Sequence, residues 1–183
     1  MRDKFFLATI LLTPILVVIF STLYFTMGMS PEGTKNNGEF FKSYFNFNEF
    51  KDSKGEQDLI GFEDGKWVLS VYVTDIEKSK ESIYLMRQLN VALNRDIFRI
   101  KRAAFFSGTY EDDITQEVKK EYPRIEIYKD SNNALFDVLQ TNSALDFQLN
   151  NPIFVIDPYG RVVMYFDPNL DPKKILKDLK VLI

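Results

Sequence analysis

The chain has 183 residues, 27% of them charged, a formal net charge of −3, and neither cysteine nor histidine. Without thiol or imidazole it cannot exchange disulfides, build a Cys/His zinc or copper centre, or run a histidine-based triad. Its chemistry is confined to carboxylates, amines, hydroxyls, amides and shape.

No charged residue lies between Phe5 and Pro31, and the 23 residues from Phe5 to Met27 are almost wholly apolar. As a helix that run would extend about 34 Å, more than the roughly 30 Å hydrocarbon core of a bilayer. Pro14 inside it is tolerable in a membrane helix, where Thr13, Ser21 and Thr22 can return hydroxyl hydrogens to freed carbonyls. A cleaved signal peptide is the competing reading. It fits less well, because the apolar run exceeds a signal core and Thr26-Met27-Gly28-Met29-Ser30-Pro31 holds no A-x-A cleavage site. Arg2 and Lys4 before the run put the N-terminus in the cytoplasm by the positive-inside rule. In a bacterium this means a single-pass inner-membrane anchor with a periplasmic C-terminal domain, the bilayer being the first partner.

The expected organisation is a cytoplasmic tip at 1–4, an anchor at 5–27, a Phe/Asn-rich linker at 28–57 and a folded domain at 58–183. Beyond the tip the chain carries −4 with no basic run, which gives no electrostatic case for nucleic acid. Phe40, Phe41, Tyr44, Phe45, Phe47 and Phe50 are dense for a linker. They read as an interfacial belt, as a strap on the domain or a partner, or as a bias toward Phe that runs through the whole chain.

Lys66 to Val73 is a β-rich apolar run suited to a buried central strand. Thr74 or Asp75 can cap a following helix with Ile83, Met86, Leu89 or Asn90, and Leu93 on one side, stopped at Asn94-Arg95-Asp96. Phe98 to Phe106 predicts a second strand, and Asp112 to Glu121 a short polar helix ended by Tyr122-Pro123. Arg124 to Tyr128 alternates as a short strand, and Asn132 to Gln140 reads as a helix. Pro152 to Ile156 and Val162 to Phe166 form a hairpin around the turn Asp157-Pro158-Tyr159-Gly160. Asp171-Pro172 supplies cap and first turn for a last helix with Ile175, Leu176, Leu179 and Leu182 as its stripe. Strand and helix alternating, then a hairpin and a terminal helix, predict an α/β thioredoxin-like layer behind the single transmembrane helix.

Several stretches in order resemble a known family. They are Asn37-Gly38-Glu39, Asp64-Gly65-Lys66-Trp67, Leu85-Met86-Arg87-Gln88-Leu89, Arg95-Asp96 through Arg99 and Arg102, Asp157-Pro158-Tyr159-Gly160, and Lys177-Asp178-Leu179-Lys180. Together they look like the single-pass thioredoxin-like proteins related to the Sco copper chaperones and encoded with cytochrome c oxidase assembly genes. The resemblance implies oxidase biogenesis as the pathway, with oxidase subunits or other assembly proteins as partners. Sco-like domains bind copper through a C-x-x-x-C pair and a distant histidine. Counted back from Arg87-Gln88, the cysteine positions fall here on Asp75 and Ser79. Asp75 is a hard donor and a serine hydroxyl a poor one, so this is a degenerate member, without metal, cofactor or catalytic residue.

Asp75, Ser79 and the loop Asn150-Asn151-Pro152 then mark the vestigial face and the expected partner surface. Thioredoxin-like folds often place a cis-proline at this point; a plain trans loop proline is the alternative. Met27-x-Met29 as a thioether copper site is set aside for want of ligands. Glu111, Asp112 and Asp113 read as a solvated helix start, since calcium-loop spacing is missing. Asp64 and Asp157 read as turn residues. The expected function is a non-catalytic assembly or scaffold factor. The rivals are a constitutive single-pass subunit of a respiratory complex and an exported carboxylate-based enzyme.

Overall fold

Apolar runs of two different periods produce two separate units, Met1–Lys35 and Asn36–Ile183. The computed structural model describes residues 2–27, 36–47, 64–108 and 112–183, apart from the side chains of residues 2, 3, 5, 7, 8, 25, 112 and 113.

In the first unit, α1 runs Arg2–Thr26 with Pro14 inside it. Thr13 Oγ1 donates to Thr9 O at 2.7 Å and Thr22 Oγ1 to Val18 O at 2.8 Å, as expected, and Thr26 Oγ1 reaches Leu23 O at 3.1 Å. The hydroxyls are thus folded onto the backbone, leaving Leu11, Val17, Val18 and Phe20 among the exposed surface. Over the described residues no helix is long and apolar enough to cross a membrane.

The second unit is built on a six-stranded sheet in the order β1-β6-β5-β2-β3-β4. Its strands are β1 Glu39–Asn46, β2 Trp67–Val73, β3 Ile100–Ser107, β4 Ile125–Asp130, β5 Ile153–Ile156 and β6 Arg161–Phe166. β2, β3 and β4 pair in parallel, while β5 pairs antiparallel to β2 and β6, and β1 antiparallel to β6. The helices are α2 Ile76–Ala92, α3 Asp112–Glu121, α4 Ala134–Asn142, α5 Phe147–Asn150 and α6 Pro172–Leu182.

Alternation along β2 sorts the core into two layers. Leu69, Val71 and Val73 join Ile83, Met86, Val118, Ile175 and Leu179 beneath α2, α3 and α6. Val68 and Tyr72 join Leu135, Leu139, Phe147 and Phe154 beneath α4 and α5. A parallel sheet needs cover on both faces, and the continuous apolar run of β2 is its sequence signature.

Two expectations change. The stretch 28–57 is not linker throughout, because Glu39–Asn46 adds an edge strand. Phe41 is 4% exposed and packs on Tyr165 at 4.8 Å between ring centres; Phe47 is 1% exposed against Phe105 at 5.0 Å. Burying each ring contributes roughly 1.5–3 kcal/mol, so Phe41 and Phe47 are core material, while Phe40 and Tyr44 stay exposed. Phe50 lies outside the described residues. The second strand also starts later than expected: Asn94–Arg99 is a 3-10 turn, held by Asn90 Nδ2 donating to Ile97 O at 3.4 Å.

Candidate functional site

Strand β2 delivers Thr74 and Asp75 to the carboxyl edge of the parallel sheet, the edge where open α/β folds place their ligands. Asp75 caps α2: its Oδ1 accepts from Glu77 N at 2.9 Å and Lys78 N at 3.2 Å, satisfying two amides of the first turn. One turn on, Ser79 is fully buried and its Oγ donates to Asn151 Oδ1 at 2.8 Å. Ser82, on the same face of α2, donates from Oγ to Asn151 O at 2.8 Å. Thr74 Oγ1 approaches Asn151 Oδ1 at 3.3 Å.

Asn151 is the hub of this cluster. It is 1% exposed and left-handed, with φ 45° and ψ 55°, as the residue after α5. Asn tolerates that conformation better than other side-chain-bearing residues, because its short amide hydrogen-bonds locally. The Asn151–Pro152 peptide is trans, like every described peptide bond, and Pro152 is buried at the start of β5. Asn150 is half-buried, with Nδ2 donating to Asp146 O at 3.0 Å. The expected residues therefore converge, with Ser79 and Asn151 bonded directly and Asn150 and Pro152 flanking them. Thr74, Ser82 and α5 were missed. The i,i+3 spacing of Ser79 and Ser82 was the available signal, since such pairs share a helix face.

Above the cluster lies an open cavity of about 420 Å³ lined by Glu77, Lys78, Ser82, Asn150, Asn151 and Asn169. Leu149 also faces it and is 65% exposed. The rim is polar and carries both signs of charge, with an apolar side chain beside it. That arrangement suits contact with a protein surface better than retention of a small apolar ligand.

A copper ion does not fit here. Asp75 Oδ1 is engaged by two amides and its other oxygen is a hard donor, Ser79 Oγ is engaged by Asn151, and the chain contains no thiol or imidazole to replace them. Among the described residues no group of three carboxylates could hold a metal. Met29 and the side chains of Glu111, Asp112 and Asp113 lie outside the described residues. Asp64 accepts from Lys66 N at 3.2 Å, and Asp157 Oδ1 from Tyr159 N and Arg161 N at 2.9 Å each; both shape turns.

Two of the other stretches that carry the family resemblance, Asn37-Gly38-Glu39 and Lys177-Asp178-Leu179-Lys180, fasten the scaffold. Buried Asp178 accepts from Asn37 N and Gly38 N at 2.5 and 2.9 Å, and from Asn37 Nδ2 at 2.8 Å. Tyr165 Oη donates to Glu39 Oε2 at 2.6 Å, and Tyr128 Oη to Glu126 Oε2 at 2.7 Å. Burial, reinforced by these carboxylates, pushes both phenols above their ordinary pKa. A phenol held neutral in the fold contributes stability that is complete below the unfolded value near 10 and lost as pH rises beyond it. Denaturant unfolding at pH 9 and 11 should therefore show a loss on the alkaline side. Tyr128→Phe with Tyr165→Phe should flatten it; an unchanged slope in that double variant would refute the assignment.

Comparison with known proteins agrees with this architecture. Residues 71–183 match the family described as transmembrane-like, thioredoxin-like, C-terminal domain. No curated protein matches the chain in sequence. Among solved structures, it superimposes on BsSco, a member of the Sco family of cytochrome c oxidase assembly proteins, with a TM-score of 0.51 at 12% identity, covering 82% of this chain and 97% of that one. A SCO1/SenC family lipoprotein from Bacillus anthracis str. Ames gives 0.50 at 15% identity, over 80% and 97%. A thiol:disulfide interchange protein from Bacteroides sp. gives 0.50 at 14%, over 82% and 92%. At such identities the likeness concerns the fold. With its sheet order, its two-layer core and the match over 71–183, the chain belongs to the transmembrane-like, thioredoxin-like family.

Proposed function

We propose that this protein is a membrane-anchored, non-catalytic thioredoxin-like assembly or scaffold factor acting in cytochrome c oxidase biogenesis. The observation that carries the reading is the bonding of Ser79, Ser82 and Thr74 onto Asn151. The face at which the resemblance would place redox or copper chemistry is filled by neutral groups that satisfy one another, and what it offers outward is a surface. Leu149 and the mixed-charge rim around it supply the contact for an oxidase subunit or another assembly protein.

Helix α1 supplies the tether. From Phe5 to Thr26 the helix carries no charge, and the described side chains from Lys4 to Met27 are all exposed within this chain, so an apolar surrounding suits it better than water. Lipid is the environment that matches it, with the N-terminus in the cytoplasm and the folded domain in the periplasm, the orientation that Arg2 and Lys4 favour.

The test is a gene deletion read by reduced-minus-oxidised haem spectra and oxidase activity of the membranes. Loss of the oxidase signal is expected. It should be restored by the intact gene and by a variant carrying Asp75→Asn and Ser79→Ala, but not by Leu149→Glu produced at equal abundance. An unchanged spectrum in the deletion strain would detach the protein from oxidase biogenesis. Co-purification with the mature oxidase at fixed stoichiometry would make it a subunit instead.

A further inference from the structure

Away from the Asn151 cluster, three guanidinium groups line a single cavity of about 270 Å³. Arg87 comes from α2, Arg102 from β3 and Arg124 from the turn into β4. Arg102 stands in register with Leu69 and Ile125, at the end of the sheet opposite Asp75. By strand alternation it shares a face with Ala104 and Phe106, which belong to the apolar layer beneath α2 and α3. A cation at such a position is costly unless a counter-charge meets it.

No ion pair among the described residues supplies one to Arg102. Arg102 is 6% exposed and its Nη1 is buried without a hydrogen-bond partner. Among the described residues, the ion pairs leave out Arg87, Arg102 and Arg124 alike. The carboxylate lining the cavity belongs to Glu121, whose side chain is exposed. Burial, and then the neighbouring Arg87 and Arg124, lower the Arg102 pKa.

Three guanidinium charges against one carboxylate leave the cavity two positive charges in excess. We propose that it binds a phosphate monoester dianion. Donors converging from three separate elements suit a tetrahedral group with three terminal oxygens, whereas a planar carboxylate is matched by one guanidinium fork. Val91, Ile97 and Pro123 complete the lining, with room beyond the phosphate for a small organic body. The monoester has two sources, a soluble phosphorylated metabolite or the headgroup of phosphatidic acid. Both present the same dianion.

Calorimetric titration of the full chain in uncharged detergent distinguishes them, using glycerol 3-phosphate in one arm and mixed micelles of phosphatidic acid in the other. One-site binding saturating below about 10 mM is expected in at least one arm, and which arm identifies the source. Acetate should bind at least about tenfold more weakly. Arg87→Gln with Arg124→Gln, both exposed side chains, should weaken binding about tenfold to a hundredfold, the loss typical of charged hydrogen bonds. Arg102→Met should abolish binding while keeping or raising the thermal midpoint without ligand, because it removes an unpaired buried charge. Failure to saturate in both arms would overturn the proposal. So would unchanged affinity in the Arg87/Arg124 variant, or acetate binding as well as the monoester. Should Arg102→Met fail to fold, the exposed pair decides alone.

Discussion

Replacing Asp178 by Ala is expected to lower the stability of the folded domain by about 3 kcal/mol, a fall in thermal midpoint of roughly 6–12 °C. The carboxylate is 5% exposed and accepts hydrogen bonds from Asn37 N, Asn37 Nδ2 and Gly38 N. Hydrogen bonds to a buried charge contribute roughly 1.5–3 kcal/mol each and do not add fully, because the freed amides regain water. The loss should be local before it is global. Asn37 and Gly38 lead directly into β1, so amide hydrogen exchange should rise first over Glu39–Asn46. Asp178→Asn keeps one acceptor oxygen and should cost about half as much.

Gly38→Ala attacks the same junction by packing. A methyl there would sit 2.4 and 2.6 Å from two carbons of the Phe166 ring, which is 1% exposed and has nowhere to move. Overpacking of this kind costs about 1–3 kcal/mol, and the two changes together should cost less than their sum because they release the same strand. Thermal unfolding of the full chain in detergent, with exchange read by mass spectrometry, checks both. A midpoint for Asp178→Ala within about 1 °C of wild type would refute the clamp.

This junction also explains what was legible in the sequence and what was not. Helices α2, α3 and α6 and strands β2 to β6 follow from periodicity and punctuation, because Asp75, Pro123, Gly160 and Asp171-Pro172 act on their own neighbours. Strand β1 was hidden because its partner is β6, more than a hundred residues away, and nothing local distinguishes an edge strand from an aromatic-rich tether. The same holds for Asn37-Gly38-Glu39 and Lys177-Asp178-Leu179-Lys180. They were visible as pieces of a family pattern, yet only the fold joins Asp178 to Asn37 and Glu39 to Tyr165. At the candidate site Ser79 and Asn151 were legible by counting from Arg87-Gln88 and from Pro152. That a serine hydroxyl and an asparagine amide would close on each other required coordinates. The three arginines lie in α2, β3 and a turn, a convergence no local pattern displays.

Asn151→Ala is the second change expected to have a large effect, a loss of about 2–5 kcal/mol. Two penalties combine in it. Removing Oδ1 strands the hydroxyl of Ser79, a fully buried donor, at about 1–3 kcal/mol. Alanine in the left-handed region adds about 1–2 kcal/mol, since its Cβ crowds the following carbonyl in a conformation that Asn adopts more readily. Asn151→Gly removes the first group but not the backbone comfort, so the difference between the Ala and Gly variants isolates the conformational part. A double-mutant cycle isolates the rest. Ser79→Ala in the Asn151→Ala background should cost at least 1 kcal/mol less than in wild type, because the stranded hydroxyl is then gone. The functional reading leans on that coupling: Ser79 and Asn151 must behave as one closed unit for the face above them to be a surface instead of a reactive site. Additivity within about 0.3 kcal/mol would mean that the two side chains act independently, and the filled-site account would fall with it.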